Sequence, residues 1–241
     1  MKLVIPAFVI LIVLAGYKGH QFYEALQIVT IVTRNSEKFE NITQDLSTTL
    51  LVLGDSTAAG VGTLTSADSV AGRLSTYMGA TYTENLSENG AYATDIQEQL
   101  DQASLEKYDT VLIQVGANDV IWFRSLNDAV HEIDFTVTRL RDYTDRVIVM
   151  SAGNIGGAPV FPLPLWPIYT WRSSQLNDAF EDIVERRGAY YIDLYVPPSQ
   201  DPFVQQPGVY LSPDKLHPSS KGYGLWFEKL KQEVFPEEAE T

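Results

Sequence analysis

The 241-residue chain predicts an α/β domain: a doubly wound, five-stranded parallel sheet with helices on both faces. Three observations carry that expectation. Short apolar, β-branched runs alternate with amphipathic stretches of helical length, the order of a βαβ chain. The first of them, Leu50-Leu51-Val52-Leu53, is apolar throughout instead of alternating, as a strand buried on both faces is. Their carboxyl ends carry glycine beside polar residues, where open sheets of this kind hold their ligands. Composition agrees, with 45% hydrophobic and 20% charged residues, enough for one sizeable core.

Ahead of the domain, residues 3–17 carry no charge and are nearly all apolar. As a helix they span about 22 Å, short of a bilayer core of roughly 30 Å. They read as a signal-type apolar region, with Val13-Leu14-Ala15 resembling a cleavage site, or as a short anchor giving membrane association; a buried amphipathic cap is a third reading. Lys2 on one side against Lys18 and Arg34 on the other leaves the orientation open, and export or anchoring is the expectation. The helical pattern resumes over 21–33, and residues 18–47 end in a polar connector carrying Glu37, Lys38, Glu40 and Asp45. The domain itself occupies 48–241.

The first strand is Leu50-Leu51-Val52-Leu53, broken by Gly54-Asp55 so that Ser56 stands at its carboxyl end. Small residues follow, and Ser69-Val70 opens a helix running to Met78. Residues 81–86 form a second strand ended by Asn89-Gly90, and Thr94 with Gln97 has capping-box spacing for a helix to about Leu105. Residues 110–115 are the third strand, stopped by Gly116-Ala117-Asn118-Asp119. Val130, Ile133, Val137 and Leu140 mark the buried face of a helix over 126–143. Strands at 146–150 and 190–194, with helices at 173–187 and 221–234, complete the alternation. Residues 158–171 are too proline-rich for a helix or central strand and read as a long apolar loop. Its Phe161, Leu165 and Trp166 are candidates for a substrate wall. A second irregular stretch, 197–213, delivers the chain to Asp214-Lys215-Leu216-His217.

Several function classes fall away. A net charge of −14 leaves no basic surface for a phosphate backbone, so nucleic acid is not a partner. Without cysteine there is no disulfide, thiolate nucleophile or lipidated cysteine. Gly60-x-Gly62 lacks the third glycine of a dinucleotide loop, and three scattered histidines without H-E-x-x-H give no metal cluster, so no cofactor is expected. No serine sits in a G-x-S-x-G frame, which removes the α/β-hydrolase arrangement.

Ser56, at a strand's carboxyl end, occupies a nucleophile's position and needs a base. Of the three histidines, His20 lies beside the apolar amino-terminal segment and His131 sits mid-helix, away from any strand end. His217 remains. Asp214, three residues earlier, can reach the same imidazole and orient it. Each residue alone has an ordinary turn or capping explanation; their coincidence at strand ends is what points to catalysis.

Gly54-Asp55-Ser56, Asn89-Gly90, Gly116-x-Asn118-Asp119 and Asp214-x-x-His217 resemble, in order, the four blocks of the SGNH/GDSL hydrolase superfamily over about residues 50–235. The resemblance implies a flavodoxin-like three-layer α/β/α sandwich, with Ser56 as nucleophile, His217 as base and Asp214 as orienter. It also implies an oxyanion hole from the Ser56 and Gly90 backbone N–H groups and the Asn118 amide; Asp119 reads as structural, bracing the turn that presents Asn118. Thr57 departs from the leucine of the family's name motif. The expected function is a serine esterase acting on lysophospholipid or short-chain acyl esters. A carbohydrate O-acetylesterase of the cell envelope is the alternative within that chemistry, and a non-catalytic anchored binding module the alternative outside it.

Overall fold

The computed structural model describes residues 4–236, with backbone alone for residues 4–15 and 18. Five parallel strands form one sheet: β1 (Thr49–Gly54), β2 (Tyr82–Asn85), β3 (Thr110–Gln114), β4 (Val147–Met150) and β5 (Tyr190–Ile192). Their spatial order is β2-β1-β3-β4-β5, so the winding reverses between β1 and β3. In the register Leu50 pairs with Thr83 on one side and Thr110 on the other, and Gly54 lies beside Gln114.

The helices are α1 (Val4–Arg34), α2 (Ser56–Ala59), α3 (Val70–Met78), α4 (Ile96–Leu100), α5 (Ala117–Ile121), α6 (Leu126–Leu140), α7 (Trp166–Arg186), α8 (Pro202–Gln205), α9 (Pro207–Tyr210) and α10 (Ser220–Val234). Strand side chains alternate between two cores. Leu51, Leu53, Val111 and Ile113 meet Ile96 of α4, Ile133 and Val137 of α6 and Phe180 of α7. Leu50, Val52, Leu112 and Ile148 meet Leu74 of α3 and Tyr223 and Leu230 of α10. The result is a three-layer α/β/α sandwich. Leu50 through Leu53 have no exposed surface, and each such side chain stabilises the fold by about 1.5–3 kcal/mol.

Local sequence reasoning needs three corrections. Helix α7 begins at Trp166, inside the stretch read as a loop, because Pro167 falls in its first turn, where no backbone donor is needed. Two short helical turns, α8 and α9, likewise open on Pro202 and Pro207 within the irregular stretch after β5. Helix α4 stops at Leu100, and Thr94 with Gln97 does not form the expected capping box. Instead Asp95 Oδ2 accepts the Tyr92 N–H, while Gln97 reaches Thr136 and Arg139 on α6.

At the amino end, the helix is continuous over 31 residues. Leu3 and the side chains through Ala15 lie outside the described residues, as does any answer there on cleavage. Phe22, Ala25 and Val29 of α1 pack against the α4/α6/α7-side core. Among the described residues no helix is long and apolar enough to cross a membrane. The following connector does more than link: Asn41 exchanges two backbone hydrogen bonds with Thr83, and Lys38 Nζ donates to Asn85 O at 2.8 Å. These contacts cover the free edge of β2.

Candidate active site

The reversal between β1 and β3 opens a crevice at their carboxyl ends, and the chain leaving each strand brings one part of the site. Gly54 ends β1 at φ 140°, and a Cβ there would lie 2.0 Å from Gln114 O of β3, so only glycine lets the two strands close at this point. Gln99 of α4 then holds Gly54 from the side, with Gly54 N–H donating to Oε1 at 2.8 Å and Nε2 donating to Gly54 O at 2.9 Å. Asp55 caps α2: its Oδ1 accepts from Thr57 N and Thr57 Oγ1, both at 2.8 Å. The threonine hydroxyl makes a bond that the leucine usual at this position cannot. Burial pushes the Asp55 carboxyl up, and the two Thr57 donors work against that.

Ser56 opens α2, so its N–H is among the first-turn donors that no helical carbonyl takes. Its Oγ lies 2.9 Å from His217 Nε2. His217 Nδ1 in turn lies 2.6 Å from Asp214 Oδ2. Asp214 Oδ1 accepts from Ser212 Oγ and from the backbone N–H groups of Leu216 and His217. Burial would raise this carboxyl, but the His217 imidazole and these donors outweigh it and hold it below the ordinary carboxylate range. His20 and His131 are both exposed, on α1 and α6.

Asn118, in the first turn of α5, donates from Nδ2 to Ala91 O at 3.0 Å. Asp119 accepts the Ala93 N–H at 3.1 Å. Two adjacent residues therefore staple the turn that carries Gly90, whose α-carbon faces open space. Burial pushes Asp119 up to about 6; the Ala93 donor opposes the rise and the nearby Asp55 charge adds to it.

A cavity of about 180 Å³ opens beside Ser56 and His217 and runs past the ends of β4 and β5 to α10. Ile121, Ile155, Leu194, Phe203 and Trp226 supply much of its apolar lining. The residues expected to form this wall do not. Phe161 is buried in the core with its ring 4.7 Å from Tyr169, Trp166 Nε1 is turned to Phe161 O at 2.7 Å, and Leu165 packs beside them. The segment is spent on seating α7, and the wall comes from the turns after β4 and β5. Gln99 was not visible as a site residue, since a glutamine at mid-helix carries no motif. Tyr223 was readable only as core, although its hydroxyl also donates to Val61 O at 2.9 Å and so anchors the loop after α2.

The family model for the GDSL-like lipase/acylhydrolase family matches residues 52–225. A GDSL-like esterase of Mycobacterium tuberculosis is 28% identical over 186 residues, 73% of this chain, and the chain spans 58% of that relative's length. Among solved structures, a lipolytic G-D-S-L protein of Veillonella parvula superposes with a TM-score of 0.61 at 15% identity, covering 79% of this chain and 99% of its own. A lipase/acylhydrolase of Enterococcus faecalis gives 0.57 at 23% identity, covering 78% and 95%. An acetylxylan esterase of Geobacillus stearothermophilus gives 0.56 at 19%, covering 80% and 97%. With the family model extending from β1 into α10, the chain belongs to the GDSL-like lipase/acylhydrolase family.

Proposed function

We propose that the protein is a serine esterase that cleaves short-chain carboxylic esters through an acyl-enzyme on Ser56. The observation that carries this is the unbroken Ser56–His217–Asp214 hydrogen-bond chain opening on an apolar cavity. Ser56 Oγ attacks the ester carbonyl while His217 Nε2 takes its proton, and Asp214 holds Nδ1–H and stabilises the imidazolium. The Ser56 and Gly90 N–H groups and the Asn118 amide receive the developing oxyanion. His217 then protonates the leaving alcohol, and water repeats the sequence on the acyl-enzyme.

Cavity size favours a short acyl group over the long chain of a lysophospholipid. An apolar cavity of about 150 Å³ holds a benzene-sized ligand, so about 180 Å³ accommodates roughly six carbons. The apolar lining likewise favours an acyl group over a carbohydrate.

The test is treatment with a fluorophosphonate, peptide mapping, and a panel of p-nitrophenyl esters of rising chain length. Labelling at Ser56, with turnover peaking at or below about six carbons, is expected. Ser56→Ala and His217→Ala should each lower kcat by about 10⁴-fold or more with the fold intact. A folded protein that neither labels nor hydrolyses returns the weight to a binding module.

A further inference from the structure

Where α5 meets the start of α7, large apolar side chains stand in solvent. Trp122, Leu163 and Trp171 are each at least 60% exposed, and Phe123 and Ile168 are half-exposed. The Phe123 ring lies 5.5 Å from the Tyr169 ring, and the Arg172 guanidinium lies 5.2 Å from the Phe123 centroid, so the turn after α5 sits on the first two turns of α7. Ile168 and Trp171, three residues apart, share the exposed face of that helix. Phe123 takes φ 52°, which a bulky side chain avoids. Arg172 holds the turn by donating to the Asp119, Val120 and Arg124 carbonyls. Strain kept in place to leave two aromatic rings in water points to a use outside the fold.

The same surface differs from the rest of the chain in charge. Against 31 acidic residues overall, 120–127 and 146–177 contain none. Arg124, 4.8 Å from the Tyr92 ring centroid, and Arg172 form no ion pair among the described residues. Asp119, which precedes the first stretch, is buried with its carboxylate on the Ala93 N–H.

We propose that this face docks on a lipid surface carrying anionic headgroups. Indole, phenyl and aliphatic groups enter the headgroup boundary while arginines stay at the phosphates. The net charge of −14 does not prevent this, because at physiological ionic strength charges are screened beyond about 8 Å and the sign next to the lipid decides. A second copy suits the face less well, since two-fold pairing would set its arginines against their own copies. Residues 3–17, uncharged and as a helix too short to span, would add a second attachment, and one apolar attachment alone is marginal. Phe22, Ala25 and Val29 of α1 pack on the same core as Tyr169, which puts α1 and this face on one side of the sheet. Asn118 and Ile121 of α5 line the cavity, so on the esterase reading of Ser56 the docked protein meets esters borne by the lipid surface; docking itself does not depend on that reading.

The test mixes the full chain with vesicles of phosphatidylcholine, with and without phosphatidylglycerol, whose acyl chains are brominated to quench tryptophan on contact. None of the four tryptophans lies in α1 and Trp226 is buried, so quenching reports this face and not the amino-terminal segment. Quenching is expected, with apparent affinity at least about fivefold higher when phosphatidylglycerol is present. A Leu163→Asp, Ile168→Asp double variant keeps every tryptophan and should lose the quenching, with circular dichroism and turnover of a soluble p-nitrophenyl ester unchanged. If no ester is turned over, the esterase reading fails and the quenching result stands by itself.

Vesicle binding by flotation without quenching assigns the membrane to the amino-terminal segment and overturns the proposal. Quenching equal on the two lipids, or unchanged in the double variant, does the same. Dimerisation in sedimentation without lipid quenching, lost in that variant, overturns it in favour of an interface between copies.

Discussion

Asn118 has two N–H bonds to give and spends one on Ala91 O, which fixes the direction of the other. If Asn118 is the oxyanion donor proposed above, this bond pre-orients it, and Asn118→Ala should lower kcat about 100- to 1000-fold with a smaller change in KM. Steady-state kinetics on a short-chain ester checks this; a change in KM alone would remove Asn118 from the oxyanion hole. Its neighbour Asp119 has the opposite electrostatic position to Asp214. Asp214 is held below its ordinary value, so it stabilises the fold above that value and the contribution is lost as pH falls. Asp119 is pushed up to about 6 by burial, so the folded protein binds its proton more tightly than the unfolded chain does. Stability from this group therefore declines as pH rises from about 4 to about 6, by roughly 3 kcal/mol, and is flat beyond. Urea titrations of wild type and Asp119→Asn across pH 4–8 should show a stability difference that moves by about that amount in that window only.

At the scale of elements, the site depends on β1 and β3 ending side by side. Gln99 of α4 enforces that junction by taking the Gly54 N–H, while Gly54 O keeps a second donor in Glu88 N–H. Gln99→Leu removes the partner of one buried donor and should cost about 1–3 kcal/mol. It should also reduce turnover, since Ser56 follows two residues later; denaturation midpoints and kcat measured together test both effects. β1, β3 and β4 were legible from apolar runs, because burial on both faces leaves an unmixed composition; β2, Tyr82-Thr83-Glu84-Asn85, is buried yet mostly polar, its Glu84 accepting from the Ser104 and Tyr108 hydroxyls. Helix α7 was only half legible. Prolines at 162, 164 and 167 argue against a helix interior, yet Pro167 falls in the first turn, and where a helix starts is decided by what Trp166 and Tyr169 pack against. The proposed catalytic residues were legible for a different reason: a base and its orienter three residues apart form a local pattern. The cavity wall was not, because its residues come from separate segments that only the fold brings together.

For the whole molecule, α1 is a long element that, among the described residues, meets the core through three side chains. Phe22, Ala25 and Val29 are partly buried against the core, and the connector adds the Asn41–Thr83 bridge. A chain beginning at Ser36 keeps the bridge and loses the three side chains, so it should stay folded and lose about 3 kcal/mol. That corresponds to a melting temperature lower by roughly 6–12 °C, read by circular dichroism; outright unfolding would make α1 part of the core. The sequence by itself determined the fold class, the strand order along the chain and the residues proposed for catalysis, because strand burial and short catalytic spacings are local properties. Tertiary structure alone decided the strand order in space, the crevice between β1 and β3, the clamp by Gln99, and the cavity beside Ser56. Those depend on groups far apart in the chain arriving at one point, and such convergence is set by packing rather than by any pattern along the sequence.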